Sequence, residues 1–294
     1  MMIKRIAALL FLAALLISSS ALADYVWVDA FADRPDDAAI TEYLAAEASA
    51  QLGAQVSVRH EKDEVAAVNA FLTLPADESV LIAGPDAMIC SLQAMTDQDL
   101  RTALIPVTDI ALSDSLFCVS PAAAGMVADL TADALEKYTQ ENEYALTLMR
   151  TMDASYDDML SLAATGEFFL EEELYADWAE MEQAMQDGLA GLAVFSACAV
   201  PDDIRSYVSA GSTGMPGLWQ GVFLNEKAGS GPAEKLYSVL QAACSGPEWE
   251  ALLSQAGYNA SPCLPPADFA VKVSDETERI TRYLTNEGLF FYEW

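Results

Sequence analysis

From residue 25 onward the spacing of apolar positions switches repeatedly between a short-strand and a helical period. Residues 25–31 (YVWVDAF) are a compact apolar run, and 38–52 then carry Ile40, Tyr43, Leu44, Ala48 and Leu52 on one helical stripe. The alternation continues with a strand over 55–58, a helix over 64–72 and the apolar strand 79–83 (SVLIA). That strand ends at Gly84-Pro85-Asp86, before another helical stretch. A βαβαβ order of this kind predicts a parallel sheet with helices on both faces. Residues 104–119 are a longer apolar stretch broken by Pro106 and Asp109, which suits strands passing from one lobe into a second. In that second part, 145–149 reads as a strand, 174–185 as a helix and 189–195 as a buried strand. The Gly- and Pro-rich segment 211–218 reads as the return crossing, and helices over 232–243, 247–255 and 274–286 complete the chain. The expected fold is therefore α/β with two lobes, each a mostly parallel sheet flanked by helices. Lobe 1 is expected to hold residues 24–118 and 219–294, and lobe 2 residues 119–218.

The segment before the first strand changes where the protein is expected to work. Lys4 and Arg5 precede an apolar run over 6–17, and Ser20-Ala21-Leu22-Ala23 ends in a small-x-small pattern. The run is shorter than the roughly 20 apolar residues that span a bilayer. A signal peptide cleaved after Ala23 is expected, with Asp24 opening the exported protein and a periplasmic location. No cysteine follows the small residues, so no lipid anchor is expected.

Charge narrows the partners. Across 294 residues, 14 Lys and Arg face 45 Asp and Glu, a formal net charge of −31 at pH 7, and loss of Lys4 and Arg5 makes it more negative. Nucleic acid and anionic membrane surfaces are disfavoured, because both are bound through positive patches. The acidity reads as a solubility feature before it reads as a charge-selective site. The five cysteines are Cys90, Cys118, Cys198, Cys244 and Cys263. Their number implies pairing in an oxidising compartment with at least one thiol left over. None has C-x-x-C spacing. Cys244 and Cys263, separated by a short helix and a Pro-rich turn, are the pair expected to close.

Catalytic motifs are scarce. There is one histidine, His60, and no G-x-S-x-G, H-E-x-x-H, Walker or G-x-G-x-x-G sequence. Asp153-x-Ser155-x-Asp157 begins like a calcium loop but lacks its sixth-position glycine and twelfth-position glutamate. The acidic run 171–173 reads as a solvated face. No enzyme, cofactor or metal is expected; a secreted hydrolase working through a carboxylate pair is the minor reading.

Several segments in order carry a family resemblance: the strand–loop–helix over 26–60, "LPADESVLIAG", "GLWQGVF", "AEKLYSVLQAACSGPEWEALLSQAGY" and "VSDETERITRYL". Together they resemble the extracytoplasmic solute receptors of tripartite tricarboxylate transporters, the TctC or Bug family. The resemblance implies a monomeric two-lobed periplasmic binding protein of type II-like fold. Such a protein closes on a small carboxylate or amino-carboxylate and delivers it to the membrane subunits of a transporter. In the family, glycine-rich loops after the first and second strands grip a ligand carboxylate through backbone amides. The corresponding segments here, 31–37 and 60–64, hold no glycine.

The ligand-binding residues implied are Phe31, Ala32, Arg34 and Asp37 in the first loop, His60 in the second, and Gly84 and Asp86 at the mouth of the third strand. The second lobe would supply Asp153 and Ser155 and, after the buried strand, Ser196; Trp219 sits on the return crossing. How the glycine-poor loop works stays open. Asp36 or Asp37 can cap the helix that follows. Arg34 can replace the lost amides with a bidentate grip on a carboxylate. An acidic rim can instead select an amine, with Asp37 as counter-ion, or the family ligand has been lost. An exported sensor or scaffold with the receptor fold is the alternative to a transport receptor.

Overall fold

The computed structural model describes residues 25–31, 35–92, 100–127, 129–152, 155–200 and 209–286. The expected signal segment and its cleavage site, and the site candidates Ala32, Arg34 and Asp153, lie outside the described residues. The first half of the chain runs β1 (Tyr25–Asp29), α1 (Pro35–Leu52), β2 (Val56–His60), α2 (Glu64–Thr73), β3 (Ser79–Ala83), α3 (Pro85–Leu92) and a single-turn α4 (Leu100–Ala103). The long strand β4 (Leu104–Val119) leads into a one-turn α5 (Pro121–Ala124), α6 (Ala132–Glu141), β5 (Thr147–Thr151), α7 (Tyr156–Thr165), β6 (Glu171–Tyr175), α8 (Trp178–Gln186) and β7 (Gly191–Ser196). A second long strand, β8 (Ser209–Asn225), returns to a 3-10 turn (Glu226–Ala228), α9 (Ser230–Ala243), α10 (Pro247–Gln255), the two-residue β9 (Asn259–Ala260) and α11 (Pro266–Asn286).

The described strands form one mixed sheet in the order β2-β1-β3-β8-β4-β7-β5-β6, with β9 pairing to β4. Parallel pairs lie at both sides: β1 with β2 and β3, and β5 with β6 and β7. Between them β8 is antiparallel to β3, and β4 is antiparallel to both β8 and β7. Strands β4 and β8 pair from Leu104 opposite Asn225 to Val119 opposite Ser209, with register shifts at four places between Pro106 and Leu116. Proline lacks a ladder N–H, and bulges bend and twist a strand locally. The two parallel-wound halves are thus joined by a pair of bent ribbons, which is the physical form of the expected crossing.

Local signals explain where most elements begin. Pro85 and Pro247 stand at helix starts, where a missing N–H costs nothing. Asp63 caps α2 by accepting the Ala66 N–H at 2.7 Å, and Ser155 caps α7 by accepting the Asp158 N–H at 3.2 Å. One expectation is corrected. Residues 174–185 are not one helix: Leu174 and Tyr175 finish strand β6, and the helix starts at Trp178, where Asp177 accepts the Glu180 N–H. The acidic run 171–173, expected on a solvated face, is exposed on this strand at the end of the sheet order. Helix α11 also begins earlier than expected, at Pro266.

Among the described residues no helix is long and apolar enough to cross a membrane. Cys244 and Cys263 are both free thiols, so the expected Cys244–Cys263 disulfide is not formed in this structure. The two thiols are nevertheless close enough to shift each other's ionisation, Cys244 upward and Cys263 downward. The Tyr237 hydroxyl of α9 also donates to the Cys263 carbonyl at 3.3 Å, which lays the 263 segment along the helix that ends at Cys244.

Candidate functional site

In an open α/β sheet, ligands are received at the carboxyl ends of the strands, where helices present their N-termini. Here the ends of β1 and β3 in one half approach the start of α7 and the end of β7 in the other. Phe31, just past β1, is buried with its ring against Gly84. A Cβ built on Gly84 would stand 2.8 Å from the Trp219 carbonyl oxygen and 3.1 Å from the Phe31 ring. Gly84 is thus needed for close approach, which brings the mouth of β3 onto the crossing strand β8.

The start of α1 is tied to its own half of the molecule. Asp37 is buried and accepts from the Tyr258 hydroxyl at 3.4 Å, while Asp36 accepts from Gln255 Nε2 at 3.0 Å. Below it, Asp29 is fully buried at the end of β1. Its Oδ1 accepts the Phe31 N–H at 3.0 Å and its Oδ2 lies 2.9 Å from His60 Nδ1. The other ring nitrogen of His60 lies 2.9 Å from Glu42 Oε1 on α1. Both nitrogens are therefore engaged within the protein, and His60 acts on the cleft loop through Asp29.

Burial pushes the Asp29 carboxyl above its ordinary value, although the Phe31 N–H and His60 pull it back. Burial lowers the His60 imidazole, but the hydrogen bonds to Glu42 and Asp29 outweigh it and raise the pKa. A pH dependence follows. A histidine whose folded-state pKa is raised contributes stability in full below its unfolded value near 6.5, and loses it as pH rises through the folded value. Wild-type stability is expected to decline relative to His60→Gln from about pH 6.5 upward. Urea midpoints of both proteins between about pH 5.5 and 9 check this; parallel curves would overturn it.

In the other half, Ser155 caps α7, and its hydroxyl donates to Asp158 Oδ2 at 3.0 Å, beside a second bond from Thr151 Oγ1 at 3.1 Å. Arg150 Nε lies 3.6 Å from the other Asp158 oxygen. Ser196, at the end of β7, is fully buried. Its N–H and hydroxyl both reach Asp157 Oδ1, at 3.1 and 2.6 Å, and its oxygen accepts the Leu218 N–H at 2.8 Å. Ser196 thus fastens β7, α7 and β8 together. Trp219 is buried against Phe269, edge to face at 5.5 Å, and against Phe223, with Lys272 Nζ 5.5 Å from its ring centroid. Its neighbour Gln220 is also fully buried, and neither end of its amide has a hydrogen-bond partner among the described residues.

Two direct bonds join the halves at this mouth. Asp86, in the first turn of α3, accepts the Tyr156 N–H at 3.0 Å. Arg279 of α11 donates to the Tyr156 hydroxyl at 2.6 Å and lies over its ring. Burial raises the Tyr156 phenol far above its ordinary value, so it remains a neutral donor and acceptor. No motif weighed in the sequence marks Tyr156 or Asp29, and Asp157 enters there only as part of the rejected calcium-like loop. The Ser155-x-x-Asp158 pattern, a helix-start signal, was the available pointer to Tyr156 and Asp157. Among the described residues no group of His, Cys, Asp and Glu is arranged to hold a metal. A further cavity of about 400 Å³ is lined by Met88, Leu104, Pro106, Phe223 and residues of α11.

The architecture is that of the two-lobed periplasmic binding proteins. A TctC solute-binding protein from Polaromonas superimposes with a TM-score of 0.71 at 10% identity, covering 90% of this chain and 98% of its own. Rpa4515 of R. palustris, solved with adipate, gives 0.62 at 15% identity over 90% of this chain and 97% of its own. MatC from Rhodopseudomonas palustris, with bound malate, gives 0.59 at 13% identity over 88% and 98%. No family model matches the sequence, and no curated protein matches it.

Proposed function

We propose that this chain is a periplasmic solute-binding protein of the tripartite tricarboxylate type, which captures a small carboxylate-bearing metabolite between two lobes and hands it to the membrane subunits of a transporter. The observation that carries the reading is the meeting of the Asp86 and Tyr156 segments. Carboxyl ends of parallel strands from both halves converge there, across the bent ribbons of β4 and β8. Neighbours of this fold hold adipate and malate. In this reading lobe 1 holds residues 24–118 and 219–294, lobe 2 holds residues 119–218, and export follows cleavage after Ala23.

Mass spectrometry of small molecules released from protein purified from its native periplasm tests the reading. A carboxylic or amino-carboxylic acid is expected. An empty preparation that also gives no heat with dicarboxylates, amino acids or polyamines would sink it. The alternative of an exported sensor or scaffold draws on one observation: the helix-start donors of α2 and α7 are occupied by the chain's own side chains. A neighbouring sensor-kinase gene in place of transporter subunits would favour that alternative.

Within the receptor reading, Arg34 supplies the carboxylate grip that glycine amides supply in the family, and Asp37 is held by Tyr258. Arg34→Ala is expected to weaken an anionic solute by about 10- to 100-fold, and Asp37→Asn to leave it nearly unchanged. Calorimetry that reverses this order would show that the rim selects a cation.

In an oxidising compartment the adjacent Cys244 and Cys263 thiols close to a disulfide, stabilising the protein by about 3 kcal/mol through loop entropy. Peptide mapping of non-reduced exported protein is expected to find the cross-linked peptide. Two free thiols there would remove the pairing.

A further inference from the structure

We propose that Asp86 is the specificity determinant of the cleft: its carboxylate is a built-in anion at the start of α7, and it excludes a second solute carboxylate from that half. The proposal rests on the solute-receptor reading above and adds the charge of the solute. Asp86 and Tyr156 are 70 positions apart and belong to opposite halves of the sheet, so their 3.0 Å bond is made only when the halves are together. A helix start offers unpaired N–H groups and the positive end of its dipole, which together attract an anion. At α7 two of these N–H groups are already taken. Tyr156 N–H goes to Asp86, and Asp158 N–H goes to the Ser155 hydroxyl.

The surrounding charges reinforce the exclusion. Asp157 and Asp158 stand in the same first turn. Arg150 lies beside Asp158, and Asp157 is bonded to Ser196. Arg279 reaches the Tyr156 hydroxyl and pairs with Glu276. A free carboxylate arriving at the start of α7 would have to displace Asp86 and then remain beside it and Asp157, with like charges a few ångströms apart. The solute end that faces α7 therefore carries no carboxylate, and the solute has at most one, directed to the other half. Asp86 acts as the anion that a dicarboxylate would otherwise bring.

The test compares exported wild-type protein with Asp86→Ala and Asp86→Asn by two independent measurements. Calorimetry with adipate and with hexanoate, which has the same chain length but one carboxylate, reads specificity. Asp86→Ala is expected to bind adipate at least about 10-fold more tightly than wild type, with hexanoate changing by less than about threefold. Asp86→Asn, which keeps an acceptor oxygen without the charge, is expected to fall between them. Equal factors for the two acids, or wild-type protein already binding adipate as well as Asp86→Ala does, would overturn the proposal.

Thermal unfolding in sodium formate against sodium chloride at equal tens of millimolar needs no solute. Formate is expected to raise the midpoint of Asp86→Ala more than that of wild type. No difference between the salts for the variant would also overturn the proposal. A formate effect with no acid bound by any of the proteins would instead overturn the carboxylate-receptor reading, while supporting Asp86 as the anion of α7.

Discussion

Arg150→Leu is expected to cost about 3–5 kcal/mol of folding stability, because it removes one partner of a buried ion pair and leaves the other behind. Arg150 is only 8% exposed at its side chain, and Asp158 5%. Arg150 also donates to Glu172 on the neighbouring strand β6, and to the Tyr283 hydroxyl on α11 at 2.8 Å. Its loss leaves Asp158 its two hydroxyl donors but takes away the guanidinium beside it. It also removes one of the bonds by which the C-terminal helix holds the second half of the sheet. Urea denaturation of the single variant should show the loss. The double variant Arg150→Leu, Asp158→Asn should recover more than half of it, since the stranded charge is gone. A single-variant loss below about 1 kcal/mol would mean that solvent reaches Asp158 and the pair behaves as a surface one.

Trp219→Ala is the second large effect, about 3–5 kcal/mol, from the cavity left beside Phe269 and Phe223. Three packing facts converge there. A Cβ on Gly221 would come within 2.4 Å of the Phe269 ring, so the glycine of the "WQG" stretch of β8 exists to admit that ring. Lys272, over the Trp219 ring, pairs with the fully buried Asp109 at 2.8 Å, and Asp109 in turn accepts the Leu264 N–H at 2.9 Å. Trp219 is therefore part of the joint between β8, β4 and α11. The expected result is a lower unfolding midpoint with solute affinity, measured well below it, changed by less than about threefold. A tenfold loss of affinity with unchanged stability would place the indole in the binding pocket instead.

Much of the element order was legible because its signals are local. The run 79–83 and the helix 247–255 match the structure residue for residue. One is an uninterrupted apolar strand punctuated by glycine and proline; the other opens on Gly246 and Pro247. Residues 174–185 were misread for the opposite reason. Glu171–Tyr175 has almost no apolar alternation, and it is a strand because β5 lies beside it, pairing Thr147 with Glu171 through to Thr151 with Tyr175. Helices α6 and α7 were passed over: α6 is strongly polar, and α7 follows directly on a loop that draws attention as a calcium-like sequence.

The candidate site divides along the same line. From the sequence alone follow the strand ends that form a mouth, the absence of glycine from the first two loops, and the surplus of aspartates at helix starts. Each is a property of a few adjacent residues. Which partner each aspartate holds was decided by the tertiary structure. Asp29 meets His60 from 31 positions away, Asp86 meets Tyr156 from 70, and Asp37 meets Tyr258 from 221. Those partners are brought together by the pairing of β1 with β2, by the packing of α10 on α1, and by the antiparallel pairing of β4 with β8 that joins the two halves. A carboxylate's role as cap, counter-ion or tether depends on the donor that burial places against it, and periodicity along the chain carries no record of that donor.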